Sequence, residues 1–432
     1  MHTVHASSIS PGINLTCVKT GKFKTGCLSI NLINSLTHST AAKSALLMRV
    51  LRRGSKALPD MERIASALDE LYGARVEPAL SKKGELQCTG FYMDFPDERY
   101  ISGSEHVLEE TISLAGGILM SPTMCGNLFR DDYIDSEKKN LIDDIRAVIN
   151  DKRGYSAMRL LEEMCADEAY SVSKLGSESE ARAITPESLT AHYHGLLADS
   201  KIELLYCGSA EPERVESALR SALHGLPPRS DTDIPETKII LYPPGNSPKR
   251  ITETLDVSQG KLAVGFRLGK AMRDNLDYPA LMVFNAVYGS GVTSKLFLNV
   301  REKLALCYYA SSIIDKHKGV MIVSSGVEFS NFEVALAEIQ AQLSHVKNGD
   351  VSDFELLSAK RSIITSIKSV MDRPSGLLEL YFDSSVAAMR YDPEDLCDMI
   401  ETVTSDRVAE IACEIETDTI YFLTGEAGEY DV

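Results

Sequence analysis

The sequence predicts two tandem homologous domains of the α+β class. Its 432 residues suffice for two or three domains at roughly 100–200 residues each. One stretch of turn-forming composition, GLPPRSDTDIPETKIILYPPGNSPKR (225–250), divides the chain near its middle. The same order of helix and strand patterns recurs on both sides of it, at a spacing of roughly 220 residues. We therefore place the first domain at 1–224, the linker at 225–250 and the second domain at 251–432.

The composition is that of a globular protein with an acidic balance. Hydrophobic residues make up 44% of the chain and charged residues 25%, which excludes a disordered or collagen-like protein. The 45 basic and 62 acidic residues leave a net charge of −17, which repels phosphate backbones and anionic membrane surfaces. We expect no nucleic-acid partner and no membrane association.

The spacing of the cysteines and the absence of long apolar runs indicate where in the cell the protein is expected. Nine cysteines lie far apart, and no two form a Cys-x-x-Cys pair, so they match neither a zinc ribbon nor a disulfide framework. The N-terminal residues lack a signal-peptide pattern, and no run of about 18 apolar residues occurs. These features predict a cytoplasmic protein that is neither secreted nor membrane-spanning.

Two helix–strand pairs carry the repeat most clearly. A Thr-capped helix is predicted over 185–197 and an apolar strand over 202–209. A second helix, Thr/Ser-capped, over 404–415 and a second strand over 419–427 follow the same order near the C-terminus. This recurrence indicates a duplicated α+β unit.

Further elements also correspond between the halves. An amphipathic helix over 136–149 has a counterpart over 353–367, with apolar residues at three-to-four spacing in both. Strand patterns over 84–95 and 318–329 each follow a lysine-glycine turn. Within the linker, Lys238 to Tyr242 is a short apolar, strand-like piece.

Local motifs for phosphate or metal binding are weak. The Gly-rich stretch 289–295 lacks the glycine before Lys295 and the Ser/Thr after it that a P-loop needs, so we interpret it as a turn before a helix. His106, Glu109 and Glu110 resemble part of a zincin helix, but a glutamate stands where the second histidine belongs. We favour a structural role for that helix and keep an independent metal site there as the weakest hypothesis.

The segment GSGVTSKLFLNVREKLALCYYASS (289–312) has a Gly-rich turn, then Ser-x-Leu-Phe, Arg-Glu-Lys and an aromatic residue. With the two tandem halves, it resembles the pitrilysin/insulinase family, which includes the mitochondrial processing peptidases, over nearly the whole chain. The resemblance implies that each half is a mixed, mainly antiparallel sheet packed with helices, one half of a clam-shell. In active members, the first half carries an inverted zinc motif, His-x-x-Glu-His, and a later helix supplies a glutamate as third ligand.

In the family, a Gly-Ser or Gly-Thr pair follows the inverted motif. When Gly54-Ser55 is aligned with that pair, the helix KSALLMRVLRRGS (43–55) occupies the position of the motif. The five motif positions are Ala45, Leu46, Leu47, Met48 and Arg49, and the third-ligand position falls on Asp144. Alanine and methionine offer zinc no strong ligand, and arginine does not lose its proton, so one carboxylate alone remains. The resemblance therefore implies no zinc in this chain.

Arg301 and Tyr308 have the seven-residue spacing of an Arg/Tyr pair that family members carry in the second half. In the family this pair reaches the substrate backbone beside the scissile bond, where a guanidinium and a phenol can donate hydrogen bonds to a peptide carbonyl. The competing interpretation is a surface helix charge followed by the start of a half-buried strand. With the family pattern around them, we favour the substrate-binding pair.

The degenerate zinc helix carries one basic stripe. Its cations, Arg49, Arg52, Arg53 and Lys56, recur at helical spacing. A carboxylate without its metal is costly to leave uncompensated, so we predict that Arg49 pairs with Asp144 or with another carboxylate of that helix, Asp143 or Glu137. The alternative is a solvated basic face.

Some family members are heterodimers in which one chain has the zinc motif and the other keeps only the Arg/Tyr pair. The resemblance implies that this chain is such a non-catalytic subunit, closing the chamber over a zinc-bearing homologue and contributing Arg301 and Tyr308 to an extended peptide in trans. It is similar to bacterial inactive homologues encoded beside an active one, a group that includes a protein associated with modification of elongation factor P. The alternatives are an inert peptide-binding or structural scaffold and the independent metalloenzyme.

Overall fold

A computed structural model describes residues 2–102, 106–269, 277–387 and 392–425. The strands, in chain order, are β1 (Thr3–Ser10), β2 (Ile13–Lys19), β3 (Thr25–Ser35), β4 (Arg75–Lys83), β5 (Leu86–Pro96), β6 (Met124–Cys125), β7 (Leu128–Phe129), β8 (Lys201–Gly208), β9 (Lys249–Thr254), β10 (Gly260–Arg267), β11 (Cys307–Asp315), β12 (Val320–Val327) and β13 (Glu416–Thr424).

The α-helices, in chain order, are α1 (Ala41–Leu51), α2 (Met61–Glu70), α3 (Val107–Met120), α4 (Asp131–Ala147), α5 (Lys152–Met164), α6 (Glu178–Arg182), α7 (Pro186–Asp199), α8 (Pro212–Ala222), α9 (Tyr278–Tyr288), α10 (Phe332–Lys347), α11 (Asp353–Val370), α12 (Pro374–Val386), α13 (Pro393–Thr402) and α14 (Ser405–Cys413). A π-helix covers Leu296–Lys303. Within the described ranges, no helix is both long and apolar enough to cross a bilayer.

The two main sheets repeat one strand order. The first is β1-β2-β8-β3-β5-β4, and the second, counted from the opposite edge, is β9-β13-β10-β12-β11. In each sheet one neighbouring pair is parallel, β2 with β8 and β9 with β13, and the other pairs are antiparallel. The α+β class and the mainly antiparallel mixed sheets are thus confirmed, and β1 lies outside the five strands that recur.

The helix–strand pairs that indicated the repeat are present. Thr185 caps α7 by accepting from the Ser188 N–H at 3.2 Å, and Thr404 caps α14 by accepting from the Arg407 N–H at 3.2 Å. The strands β8 and β13 follow these helices. Of the strand predicted over 419–427, residues 426 and 427 lie outside the described part of the chain.

The prediction of a strand-like piece at Lys238 to Tyr242 was wrong, because the structure has no strand there. Its backbone makes isolated contacts instead of a ladder: the Leu241 carbonyl accepts from the Gly269 N–H at 3.0 Å, and the Lys238 carbonyl accepts from the Lys318 ammonium at 2.5 Å. A short apolar run between prolines can be held by such single contacts, which local composition does not reveal.

The chain forms two compact units that are not consecutive in sequence. Unit 1 comprises Met1–Arg146, Val172–Glu236 and Val370–Ala388, and unit 2 comprises Ala147–Ser171, Thr237–Ser369 and Met389–Val432. The chain changes unit after each of its two long helices. α5, which follows α4 of unit 1, belongs to unit 2, and α12, which follows α11 of unit 2, belongs to unit 1. The sequence-based division into 1–224 and 251–432 stays a prediction.

In unit 1, helices cover both faces of the sheet. One face packs against α1, α3, α4 and α7 in a large apolar core, and the other packs against Leu377, Leu378 and Phe382 of α12. Buried Lys83 of β4 fixes α12 further, because its ammonium donates to Glu379 at 2.6 Å and also contacts Asp383. These ion pairs offset the desolvation cost of the buried ammonium, so the lysine stays charged.

In unit 2, α5 packs on β10 and β13. A Cβ at Gly265 would come 2.6 Å from the Met164 sulfur, so only glycine allows this close approach. Beyond α5, buried Glu168 accepts from Arg267 at 2.6 Å and lies 2.6 Å from the Lys318 ammonium. Burial alone would raise the pKa of Glu168, but the hydrogen bonds from these two cations keep it below its usual value.

Candidate functional site

Helix α1 ends in a turn that requires glycine. A Cβ at Gly54 would lie 2.5 Å from the Pro59 carbonyl oxygen and 2.7 Å from Thr123 Oγ1. The Gly54 carbonyl also accepts from the Thr123 N–H at 3.1 Å, and the Ser55 N–H donates to the Leu58 carbonyl at 2.7 Å. The Gly-Ser landmark used to place the zinc motif is therefore a tightly packed helix end.

The first and fourth motif positions face the core of unit 1. Ala45 and Met48 are each 2% exposed and belong to its apolar cluster. A methyl group and a thioether fill space there without offering zinc a nitrogen or oxygen ligand. The side chains at the motif therefore do not fit zinc, and no step of chemistry can be assigned to a metal on this helix.

Arg49, at the fifth motif position, binds Asp144. Its Nη2 donates to Asp144 Oδ2 at 2.6 Å, so the predicted ion pair between the degenerate helix and α4 is confirmed. The Arg49 side chain is 27% exposed and the Asp144 side chain 54%. Because solvent screens such a pair, it adds little to stability and mainly balances the charge of the remaining carboxylate.

The other arginines of the stripe are also paired. Arg53 donates to Glu137 Oε1 at 3.0 Å, and its guanidinium lies 4.8 Å from the Tyr133 ring centre. Arg52 donates to Glu77 at 3.1 Å. The interpretation as a solvated basic face therefore fails for these three arginines, and α1 with the turn that follows it is joined by ion pairs to both α4 and β4.

Glu77 and Tyr133 were missed by the sequence reasoning. Tyr133 and Glu137 are four residues apart, the spacing of neighbours on one helix face, so this pair had a detectable signal. Glu77 had no such signal, because it reaches Arg52 from a strand distant in sequence.

The alternative metal site around His106 has its carboxylate occupied. Arg214 donates to Glu109 Oε1 at 2.6 Å and to Glu109 Oε2 at 2.7 Å, and it also binds Glu98. The hydrogen bonds from Arg214 lower the pKa of Glu109. In the part of the chain that the structure describes, no group of three His, Cys, Asp or Glu side chains is placed to hold a metal ion.

Arg301 lies on the π-helix, which is anchored at its start. Buried Lys295 donates to Glu355 of α11 at 2.8 Å, and Ser294 Oγ accepts from the Phe297 N–H at 3.3 Å. The Arg301 side chain is 41% exposed, and its guanidinium stacks 4.6 Å from the Phe297 ring centre, four residues earlier. The Nε of Arg301 also lies 3.5 Å from Glu302 Oε1, so the guanidinium is shared between an aromatic ring and an exposed carboxylate.

Tyr308 is the extra residue of a β-bulge at the start of β11. In the ladder with β12, Cys307 is opposite Val327 and Tyr309 is opposite Gly326, so Tyr308 has no partner of its own. Its side chain is exposed, and its hydroxyl donates to Glu328 Oε1 at 3.1 Å. This hydrogen bond raises the pKa of Tyr308.

The loop between these two residues is also irregular. The Leu304 N–H donates to the Asn299 carbonyl five residues back, at 3.1 Å, and Ala305 adopts a left-handed φ of 49°. A π-helix, a left-handed alanine and a bulge therefore follow one another within residues 296–309, which we call the Arg/Tyr segment. Such irregularities cost free energy and concentrate at binding and catalytic sites.

The hydrogen bond to Glu328 changes what Tyr308 can offer. A phenol that donates its proton to Glu328 presents only acceptor lone pairs to a ligand. The expected donation to a peptide carbonyl would require the hydroxyl to leave Glu328. In the described arrangement, Arg301 is the donor and Tyr308 with Glu328 the acceptor.

Comparison with known proteins points to one family. The family model described as "Peptidase M16 inactive domain" matches residues 183–363, which include the Arg/Tyr segment but not α1. The chain is 35% identical over 423 residues to the probable inactive metalloprotease YmfF of Bacillus subtilis (strain 168), covering 96% of this chain and 97% of that protein. It is 22% identical over 354 residues to an uncharacterized zinc protease of Streptomyces coelicolor, covering 79% and 75% of the two chains.

Solved structures agree on the fold. A conserved protein from Enterococcus faecalis V583 superimposes with a TM-score of 0.90 at 26% identity, over 99% of both chains. A protease from Helicobacter pylori gives 0.82 at 15% identity over 98% of this chain and 100% of that one. A peptidase M16 inactive domain from Pseudomonas fluorescens gives 0.78 at 17% identity over 99% and 100%. The last two likenesses establish the fold alone.

Proposed function

This chain belongs to the peptidase M16 family, the pitrilysin/insulinase family, as an inactive metalloprotease homologue, and from that premise we propose that it is the non-catalytic subunit of a heterodimeric peptidase. In this proposal a zinc-bearing homologue performs the cleavage in the cytoplasm. This chain closes the substrate chamber and binds the extended peptide through Arg301 and Tyr308. The zinc is the partner's, and no metal is assigned to this chain.

The observation that carries the proposal is the Arg/Tyr segment. Arg301 and Tyr308 are exposed, lie on an irregular stretch of backbone and contribute nothing to the buried core of unit 2. Strained backbone that presents exposed polar side chains is typical of ligand-binding sites. The degenerate helix α1 supports the same division of labour, because its motif residues are used for packing and ion pairing.

The polarity of the segment suits a peptide backbone. Each amide of an extended peptide offers one carbonyl acceptor and one N–H donor. Arg301 supplies guanidinium donors for a carbonyl, while Tyr308, held by Glu328, supplies an acceptor for an N–H. β11 is also an edge strand, so its outer backbone groups can pair with an extended chain.

A mixing experiment tests the proposal. The chain and a zinc-bearing homologue, each purified separately, are combined and assayed for cleavage of fluorogenic peptides. We expect activity in the mixture that neither protein shows alone. Arg301→Ala should lower kcat/KM of the mixture about 100-fold, the usual loss for one preorganised charged donor, and Tyr308→Phe about tenfold.

Two matched variants serve as controls. Arg361→Ala removes an exposed arginine of α11, and Tyr242→Phe removes a hydroxyl that also donates to a glutamate, Glu414, at 2.8 Å. Both should leave the cleavage rate of the mixture unchanged. Equal activity of Arg301→Ala, Tyr308→Phe and the unmodified chain would refute the trans role.

The second candidate is a catalytically inert scaffold of the same fold. It is favoured by the Arg49–Asp144 ion pair, which joins the fifth motif position to the third-ligand position of the degenerate site. A scaffold predicts stable association with the homologue, or peptide binding, with no cleavage in any mixture. The same mixing experiment, followed by size-exclusion chromatography, separates the two functions.

A further inference from the structure

The first turn of α5 carries two cations, Lys152 and Arg153, and no acidic residue. The helix dipole is positive at this end and favours acidic side chains there, so a cation at the second helical position is disfavoured. Further along the same helix, Arg159 forms ion pairs with three glutamates. Arg153, in contrast, is exposed and forms no ion pair with any residue that the structure describes. The helix therefore carries a cation that its own fold does not neutralise.

Strand β11 holds the Arg153 side chain in one position. The guanidinium carbon lies 4.4 Å from the Tyr309 ring centre, and Nη2 donates to Ser311 Oγ at 2.8 Å. Tyr309 and Ser311 are two residues apart on the strand, so both side chains lie on the same face of the sheet. A Cβ at Gly326, opposite Tyr309 in the ladder, would lie 2.6 Å from the ring, so glycine makes room for it. A guanidinium that is stacked and tethered in this way loses little further freedom when a ligand binds.

Neither contact neutralises the guanidinium. Burial raises the pKa of the Tyr309 phenol to about 12, so the phenol is uncharged at neutral pH. Asp151, the nearest acid in the sequence, caps α5 by accepting from the N–H groups of Arg153 and Gly154. Ser311 takes one N–H of Nη2, and the guanidinium donates none of its others to a described residue. The Ser311 hydroxyl, which accepts from Arg153, also has a proton of its own to donate, so both groups can bind one anion.

This cation lies next to the Arg/Tyr segment. Tyr309, on which it stacks, directly follows Tyr308 in β11. At about 3.4 Å per strand residue, Ser311 is roughly 10 Å along the strand from Tyr308, a distance that three residues of an extended peptide span. A peptide bound by the Arg/Tyr segment can therefore place a nearby group against Arg153.

We propose that Arg153 and Ser311 form a carboxylate-binding site, which selects peptides with a carboxylate a few residues from the part held by the Arg/Tyr segment. The inference rests on the proposed function in taking a peptide as the ligand. The carboxylate belongs to an aspartate or glutamate side chain or to the C-terminus of the peptide, and both sources offer the same pair of oxygens. Arginine binds such a pair through two parallel hydrogen bonds, and the Ser311 hydroxyl adds a third donor.

A carboxylate suits this position better than a neutral polar group. The guanidinium is already held in place, and its charge strengthens each hydrogen bond that it donates to an anion. Because Arg153 is exposed, solvent screens the interaction, so we expect a gain in affinity of about fivefold. Arg153 is thus a specificity-determining residue, whereas Arg301 and Tyr308 contact the peptide backbone, which every extended peptide offers.

Fluorescence anisotropy with the full chain and three labelled peptides tests the inference. The peptides share one sequence of alanine, serine and leucine and have a central glutamate with an amidated C-terminus, a central glutamine with an amidated C-terminus, or a central glutamine with a free C-terminal carboxylate. We expect at least one carboxylate peptide to bind about fivefold tighter than the neutral peptide at low salt. Preference for the glutamate peptide alone assigns the side chain as the ligand, and preference for the free terminus alone assigns the C-terminus. Arg153→Gln should abolish the preference and leave the affinity for the neutral peptide unchanged.

The control is Lys152→Gln, which removes the same charge from the neighbouring position of α5 and should keep the preference. Thermal melts check that both variants are folded. Equal affinity for the three peptides, or a preference that survives Arg153→Gln, overturns the inference. So does a chain that binds none of the peptides, or a preference that Lys152→Gln abolishes equally, since the charge of the helix end as a whole would then be responsible.

Arg301→Ala separates this inference from the proposed function. If it weakens the binding of all three peptides and no carboxylate preference exists, the proposed peptide contact stands and the carboxylate site is refuted. If it changes no affinity while Arg153→Gln abolishes a preference, the proposed contact of Arg301 is refuted and the carboxylate site stands without it.

Discussion

The degenerate zinc helix α1 and the Arg/Tyr segment have opposite characters. α1 is a regular helix whose motif positions are buried or ion-paired, with Ala45 and Met48 in the core and Arg49 on Asp144. The Arg/Tyr segment combines a π-helix, a left-handed alanine and a bulge, and its two key side chains are exposed. The positions of the family's zinc motif are thus used for packing and ion pairing in this chain. The Arg/Tyr segment, by contrast, has backbone strain that packing does not explain.

This contrast separates stability from function in the two units. Substitutions on the buried face of α1 should change the free energy of unfolding and leave ligand binding intact until the chain unfolds. Substitutions of Arg301 and Tyr308 should do the reverse, because neither side chain contributes to a buried cluster. Three further experiments test how far this separation holds.

Restoring the family glutamate at Met48 should have the largest effect. Met48→Glu places a carboxylate at a 2% exposed position within the apolar cluster of unit 1. We expect the free energy of unfolding, measured by urea denaturation, to fall by at least about 3 kcal/mol at pH 7. Met48→Leu keeps the volume and should cost less than about 1.5 kcal/mol.

The pH dependence of this variant has a definite sign. Burial raises the folded-state pKa of the new carboxyl above its unfolded value near 4.3, so the unfolded chain releases the proton first. The destabilisation should therefore be smallest below pH 4.3 and grow as the pH rises toward the folded-state pKa. A Met48→Glu chain with the same urea midpoint as Met48→Leu at pH 8 would show that position 48 is not sealed from solvent.

Local sequence signals were sufficient for much of the fold. The caps of α7 and α14 and the strands that follow them came from short patterns, and their recurrence predicted a duplicated α+β unit. In the site, a helical stripe of cations and one orphan carboxylate predicted that Arg49 pairs with Asp144, Asp143 or Glu137, and the structure selects Asp144. These features depend on neighbours in sequence or on a simple need for charge balance.

Long-range choices were not accessible in the same way. Glu77 approaches Arg52 from β4, and Glu328 approaches Tyr308 from just beyond the end of β12, and no periodicity links either acid to its partner. The assignment of α5 to unit 2 and of α12 to unit 1 depends on close packing, such as that of Met164 on Gly265. A single sequence contains the residues of such contacts but not their pairing.

The ion pairs that α1 and the turn after it make with α4 should differ in strength with their burial. Glu137 is 12% exposed and its partner Arg53 also stacks on Tyr133, so a double-mutant cycle should give a coupling free energy of about 1–2 kcal/mol. The Arg49–Asp144 pair, with its carboxylate 54% exposed, should give less than about 1 kcal/mol. The cycles use alanine at the arginines and asparagine or glutamine at the acids, measured in urea at low and high salt.

Salt provides the control for the two cycles. Raising the ionic strength should weaken the exposed Arg49–Asp144 coupling more than the Arg53–Glu137 coupling, because solvent ions screen exposed charges more effectively. If the Arg49–Asp144 coupling is the larger of the two, the charge of Arg49 stabilises the fold. The view that the buried residues of α1 stabilise the fold while its exposed ion pair contributes little would then be wrong.

The smallest effect is expected at Glu328, and it concerns the Arg/Tyr segment alone. The hydrogen bond from Tyr308 to Glu328 raises the pKa of the phenol, because a carboxylate beside it disfavours a second negative charge. Glu328→Gln removes that charge and should lower the pKa of Tyr308 while leaving the urea midpoint unchanged. Tyrosine-specific carbon-13 NMR resolves the titration, with Tyr308→Phe assigning the signal and Tyr242, which donates to Glu414 instead, as a reference whose signal the substitution at Glu328 should leave unchanged. An unchanged Tyr308 titration would mean that solvent, not Glu328, holds the phenol, and its hydroxyl would then be free to donate to a peptide carbonyl.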